Sequence, residues 1–117
     1  MENYTEELKI AEEYLAETLK ADSDGDFDGF VRRFDKRDLE GFSKDIFYAD
    51  IETMREELGV YKSRSYLGSL QGFRDDEHPG CLRFVWRGVY EKSEALIIIG
   101  IHKVDGVWYL NESNVSR

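Results

Sequence analysis

The 117-residue chain predicts a single α+β domain, with amino-terminal helices packed on a curved, mainly antiparallel carboxy-terminal sheet. Two patterns carry this expectation. Apolar positions before Gly59 recur at helical spacing, whereas Cys81 to Ser113 alternates apolar and polar residues through two reversal signals. The reversals are Glu91-Lys92-Ser93-Glu94 and Asp105-Gly106, the second a dipeptide whose residues tolerate positive φ in two-residue hairpin loops. The length suits one core and is too short for two, so residues 1–117 read as one domain.

Asn3 and Glu6 read as a capping box for a first helix over about residues 4–21, in which Tyr4, Leu8, Ala11, Leu15 and Leu19 share one side. Asp22-Ser23-Asp24-Gly25 breaks that helix. Asp26 then caps a short second helix carrying Phe27, Phe30, Val31 and Phe34. Ser43 caps a third, whose Phe47, Ile51, Met54 and Leu58 form a stripe ended by Gly59. Residues 60–73 turn strand-like, with two glycines that suggest a bend or bulge, and 74–80 form a loop containing the only proline.

Hairpin closure sets an expected register. The first turn would pair Tyr90 with Ala95, Trp86 with Ile99 and Phe84 with Ile101, and the second would pair Lys103 with Trp108, Ile101 with Leu110 and Ile99 with Glu112. One face then gathers Leu82, Phe84, Trp86, Tyr90, Ile97, Ile99, Ile101, Trp108 and Leu110, which the helices must cover. The other gathers Arg83, Val85, Arg87, Val89, Leu96, Ile98, Gly100, His102, Val107 and Tyr109. That mixture of apolar and basic residues suits a contact between two copies of the chain, so a homodimer through the outer face is expected.

A formal net charge of -9 argues against nucleic acid or an anionic membrane surface as partner. Arg32, Arg33, Lys36 and Arg37 are interrupted by acids and read as a solvated face. The first twenty residues carry glutamates where a secretory signal needs a basic end and an apolar run, and Ala95 to Ile101 falls far short of the roughly twenty residues of a membrane span. A cytoplasmic location is therefore expected, and the three Asn-x-Ser/Thr triplets at Asn3, Asn111 and Asn114 carry no meaning. The single Cys81 excludes an internal disulfide and reads as a small core residue.

Gly25-Asp26-Phe27-Asp28-Gly29-Phe30, Phe47 with Leu58-Gly59-Val60-Tyr61 eleven residues on, Tyr66-Leu67-Gly68-Ser69-Leu70 and Phe84-Val85-Trp86 together resemble the nuclear-transport-factor-2-like superfamily. The resemblance implies a cone in which a curved sheet wraps around a long helix, and places the chain near the small uncharacterised prokaryotic members. Enzymes of that fold use acid and base residues inside the cone, including aspartate and histidine pairs. Here His102 falls on the outer face of the expected register and His78 in a loop.

Three readings of chemistry follow. Tyr14, Tyr61, Trp86 and Trp108 are the expected walls of an aromatic pocket for a small, mostly apolar ligand, with Glu112 at its polar end. Such a domain would be a dimerising ligand-binding or interaction module with no cofactor. Alternatively, Glu112 on an otherwise apolar face must find a partner, reach water or carry a raised pKa, and could serve as acid or base in a hydratase, isomerase or dehydratase. Third, Asp24-x-Asp26-x-Asp28-Gly29 with Asp35 at the twelfth position matches a calcium loop, although the twelfth residue is usually glutamate and the interleaved phenylalanines want burial.

Overall fold

The computed structural model describes residues 4–71 and 80–116. Helix α1 (Thr5–Asp24) turns Ala11, Tyr14, Leu15, Thr18 and Leu19 inward at three- and four-residue spacing. It starts at Thr5 with Tyr4 at the cap position and no side-chain bond there; the Asn3 of the expected capping box lies outside the described residues. It also runs three residues past its expected end. Asp22, Ser23 and Asp24 stay helical, Lys20 pairs with Asp24 one turn away, and only Gly25, at φ 68°, takes the left-handed conformation that ends the helix.

Asp26 caps α2 (Phe27–Val31) by accepting a hydrogen bond from the Gly29 amide. This helix stops before Phe34, which was expected in it. The chain instead lies along the free edge of the last strand, where the Leu110 amide donates to the Arg33 carbonyl at 2.7 Å and the Asp35 amide to the Leu110 carbonyl at 3.1 Å. A 3₁₀ turn (Lys36–Leu39), capped by Asp35, leads to α3 (Lys44–Leu58). Ser43 and Gly59 bound α3 as expected.

Four strands follow, β1 (Tyr61–Gln71), β2 (Leu82–Tyr90), β3 (Glu94–Val104) and β4 (Val107–Ser116), in a meander of order β1-β2-β3-β4 with every pair antiparallel. Apart from Gly80, the expected loop at 74–80 lies outside the described residues, and His78 with it. β1 is irregular at Lys62 and at Leu67, the latter next to Gly68. Trp86 pairs with Ile97 and Phe84 with Ile99, a shift of two residues from the expected register. Because side chains alternate with a period of two, that shift changes partners and leaves each residue on its expected face. The core forms where Ala11, Leu15 and Leu19 meet Phe84, Trp86, Ile97, Ile99, Ile101 and Leu110. No described helix is long and apolar enough to cross a membrane.

Between β3 and β4 the departure is larger. Lys103 pairs with Trp108 and Ile101 with Leu110 as expected, but Gly100 then pairs with Glu112 and Ile99 with Ser113. Asn111 is an extra residue on β4. This bulge carries Glu112 from the helix-covered face to the outer one, where Arg83 grips its carboxylate at 2.7 and 3.0 Å across the row Arg83, Gly100, Glu112. Gly100 makes the row possible, since a Cβ there would sit 2.4 Å from the Asn111 Oδ1 and 3.0 Å from the Glu112 Cβ.

Candidate functional site

A cavity of about 570 Å³ opens between α2, α3 and the free edge of β4. Its apolar wall contains Phe30, Phe34, Phe42, Phe47, Ile51 and Met54. The 3₁₀ turn folds the chain back so that rings from separate segments meet, with centroids 5.1 Å apart for Phe30 and Phe47 and 5.8 Å for Phe30 and Phe42. Phe47 is buried, but Ile51 and Met54 are only half-buried because their α3 stripe faces the cavity. Along β4 the wall runs from Asn111 to Val115, on the strand edge that faces away from β3.

Two polar groups sit at this cavity. In the first, Asp22 from the last turns of α1 and Asp50 from α3 both line the wall. Burial, then the charge of Asp50, pushes the Asp22 carboxyl up to about 7, with Arg55 partly opposing the shift. Tyr90 packs in a small cluster with Leu58, Met54 and Val115, the last two being wall residues. Its hydroxyl is buried and has no hydrogen-bond partner among the described residues. Burial first, and then the Asp22 charge, raises the Tyr90 phenol to about 12.

The second group is built around His102, which is 1% exposed. Its Nε2 lies 2.9 Å from the Asp35 Oδ2, and its Nδ1 accepts from the Asn111 amide nitrogen at 2.9 Å. With Nδ1 accepting, the ring proton is on Nε2 and points to Asp35. The same amide nitrogen lies 3.2 Å from the Cys81 Sγ. Burial alone would raise the Asp35 carboxyl, but bonds from His102 and the Arg37 amide, with the Arg37 charge, hold it below its ordinary value. Asp38 and Asn111 connect this network to the cavity wall. Asp35, Asp38 and His102 are the group of potential metal ligands within reach of one ion among the described residues. In the acidic turn, by contrast, Asp24 pairs with Lys20, Asp26 caps α2 and Asp28 is exposed.

The expected aromatic residues sit elsewhere. Tyr14 is in the main core, its hydroxyl donating to the Trp108 carbonyl at 3.0 Å under the Arg33 guanidinium. Trp86 is fully buried beneath α1, Trp108 is half-buried beneath the Lys103 ammonium, and Tyr61 packs edge-on to Tyr90. None of the four lines the cavity. Glu112 touches it only at the β4 edge, with its carboxylate committed to Arg83, which removes the acid or base expected on the inner face. Asp22, Asp50, Asn111 and the phenylalanine walls are site residues that sequence reasoning did not select. Two signals pointed to them: five of the seven phenylalanines lie between residues 27 and 47, and Gly100 interrupts an isoleucine-rich strand.

No protein-family profile matches the chain, and no curated protein sequence matches it. Among solved structures, the solution structure of a SEC-C motif containing protein from Rhodopseudomonas palustris matches over 84% of this chain and 72% of that one, at 21% identity and a TM-score of 0.50. At that identity the likeness is one of fold. It overturns the resemblance to the nuclear-transport-factor-2-like superfamily, because the matching structure is a SEC-C motif protein and nothing found connects the chain to that superfamily. The residues behind that resemblance are apolar alternations and helix stripes, which packing helices on any antiparallel sheet requires.

Proposed function

We propose that this domain is a ligand-binding module that holds a small, mostly apolar molecule between α2, α3 and the edge of β4. The observation carrying the reading is the cavity of about 570 Å³, a size within the ordinary range of small-molecule sites, with aromatic walls and a few polar groups at its ends. Nile red, a neutral dye that brightens in apolar surroundings, tests it. The dye should bind saturably to the folded chain, and Ile51→Trp, which fills the cavity from α3, should weaken binding about ten-fold or more. Non-saturable binding, or binding that Ile51→Trp leaves unchanged, would refute the reading.

A second observation supports pairing of two such domains. Val85, Val89 and Ile98 are half-buried and Leu96 is 46% exposed on the outer sheet face. A symmetric dimer would hide these residues while leaving the cavity, at the β4 edge and α3, open. Light scattering should give a dimer for the unmodified chain and a monomer for Ile98→Glu. A monomeric unmodified chain at high concentration rules the pairing out.

A further inference from the structure

Resting on the cavity reading above, we infer that the preferred ligand is an organic cation: an ammonium group on an apolar body, seated with its charge between Asp22 and Asp50 and its body against Phe30, Phe42 and Phe47.

The charge of the wall is one-sided. Four carboxylates, Asp22, Asp38, Asp50 and Glu112, line the cavity, and no lysine, arginine or histidine does so among the described residues. Glu112 is neutralised by Arg83. Asp22 is not neutralised in this way. It is half-buried, it makes no hydrogen bond or ion pair with any described side chain, and Arg55, the nearest compensating charge, is not in ion-pair contact with it. A carboxylate withdrawn from water without a partner is costly, and placing a second carboxylate, Asp50, near it adds repulsion. An ammonium donor between them would relieve both costs.

Tyr90 is an independent sign of a missing polar partner. Its residue is 5% exposed and packs with the wall residues Met54 and Val115, its hydroxyl is buried without a hydrogen bond among the described residues, and it feels the charge of Asp22. Buried hydroxyls are normally satisfied. An ammonium group held at Asp22 brings donors and an ordered polar environment to that end of the cavity.

The walls select among cations. Among the described residues Asp22 and Asp50 do not belong to a group of three or more ligand atoms within reach of one metal ion, and the surrounding surface is largely aromatic and aliphatic carbon, which suits an organic cation. Ring faces attract such cations through their quadrupole and bury the attached hydrocarbon. The net charge of -9 disfavours anionic competitors at longer range.

Isothermal titration calorimetry on the full chain with 2-phenylethylammonium and its neutral analogue 2-phenylethanol tests this. At about pH 8 the ammonium ion should bind about ten-fold or more tightly than the alcohol. Its affinity should fall several-fold at about pH 6, as Asp22 takes up a proton in the field of Asp50, Arg55 and Tyr90, while the alcohol's affinity stays constant. Asp22→Asn should remove most of the ammonium preference, and Asp50→Asn, at an exposed helix position, should reduce it with the fold intact. Equal binding of ammonium and alcohol overturns the cation inference, as does a preference that survives both substitutions. If Nile red still binds saturably in that case, the cavity reading stands; if it does not, both fall.

Discussion

Trp86→Ala is expected to destabilise the fold by about 3–5 kcal/mol, the range for removing a fully buried large aromatic side chain. Trp86 is 0% exposed at the centre of β2, under α1 and in contact with the Tyr66 and Phe84 rings. Its indole Nε1 donates to the Glu12 Oε1 at 2.7 Å, while the other oxygen of Glu12 accepts from Arg64 at 2.9 Å. The side chain therefore fills the core and ties α1 to the sheet. Trp86→Phe keeps most of the apolar contact and loses the hydrogen bond, so it should cost about 1–2 kcal/mol. Urea denaturation separates the two through the midpoint, with an unchanged slope indicating an unchanged denatured state. A loss below about 1 kcal/mol for Trp86→Ala would mean that α1 is not docked over β2 as described.

Asp22→Asn is expected to act in the opposite direction and to depend on pH. The folded-state pKa of Asp22 is raised from 3.8 to about 7, so the folded state holds this proton more tightly than the unfolded chain. The stability linked to the bound proton is complete below about pH 4 and is lost as pH rises through about 7. At about pH 8 the ionised carboxylate costs roughly 1–3 kcal/mol, which the neutral amide does not incur. The variant should thus melt above the unmodified chain at about pH 8, and the difference should vanish by about pH 4. A variant less stable at high pH would place Asp22 in a stabilising ion pair. Combined with loss of ammonium preference, a gain in stability is the signature of a residue kept for binding at the expense of the fold.

Much of the architecture was readable from periodicity. Ser43, the Phe47 to Leu58 stripe and Gly59 specified α3, since a cap, an apolar face and a left-handed terminator are local requirements. The two faces of β2 and β3 were also legible, and survived a two-residue error in pairing because parity alone assigns a face. At the α1 terminus local reading fell short, since Asp and Ser discourage a helix without forbidding it, and Gly25 alone stops it.

Glu112 shows why the site was less legible than the fold. Its face depends on one extra residue, Asn111, and a bulge is stabilised by contacts from distant segments: the Asn111 amide reaches Cys81 and His102, and Asp35 closes over the His102 ring. Gly100 marked the position without stating which way β4 would shift. The cavity arises the same way. Apolar spacing told which side of α2 and α3 would seek cover, because each side chain's direction follows from its own backbone. It held no information on how far α3 stands from the edge of β4, a distance set by how the Phe30, Phe42 and Phe47 rings pack once the chain has closed, and that spacing is what brings Asp22 and Asp50 to one pocket.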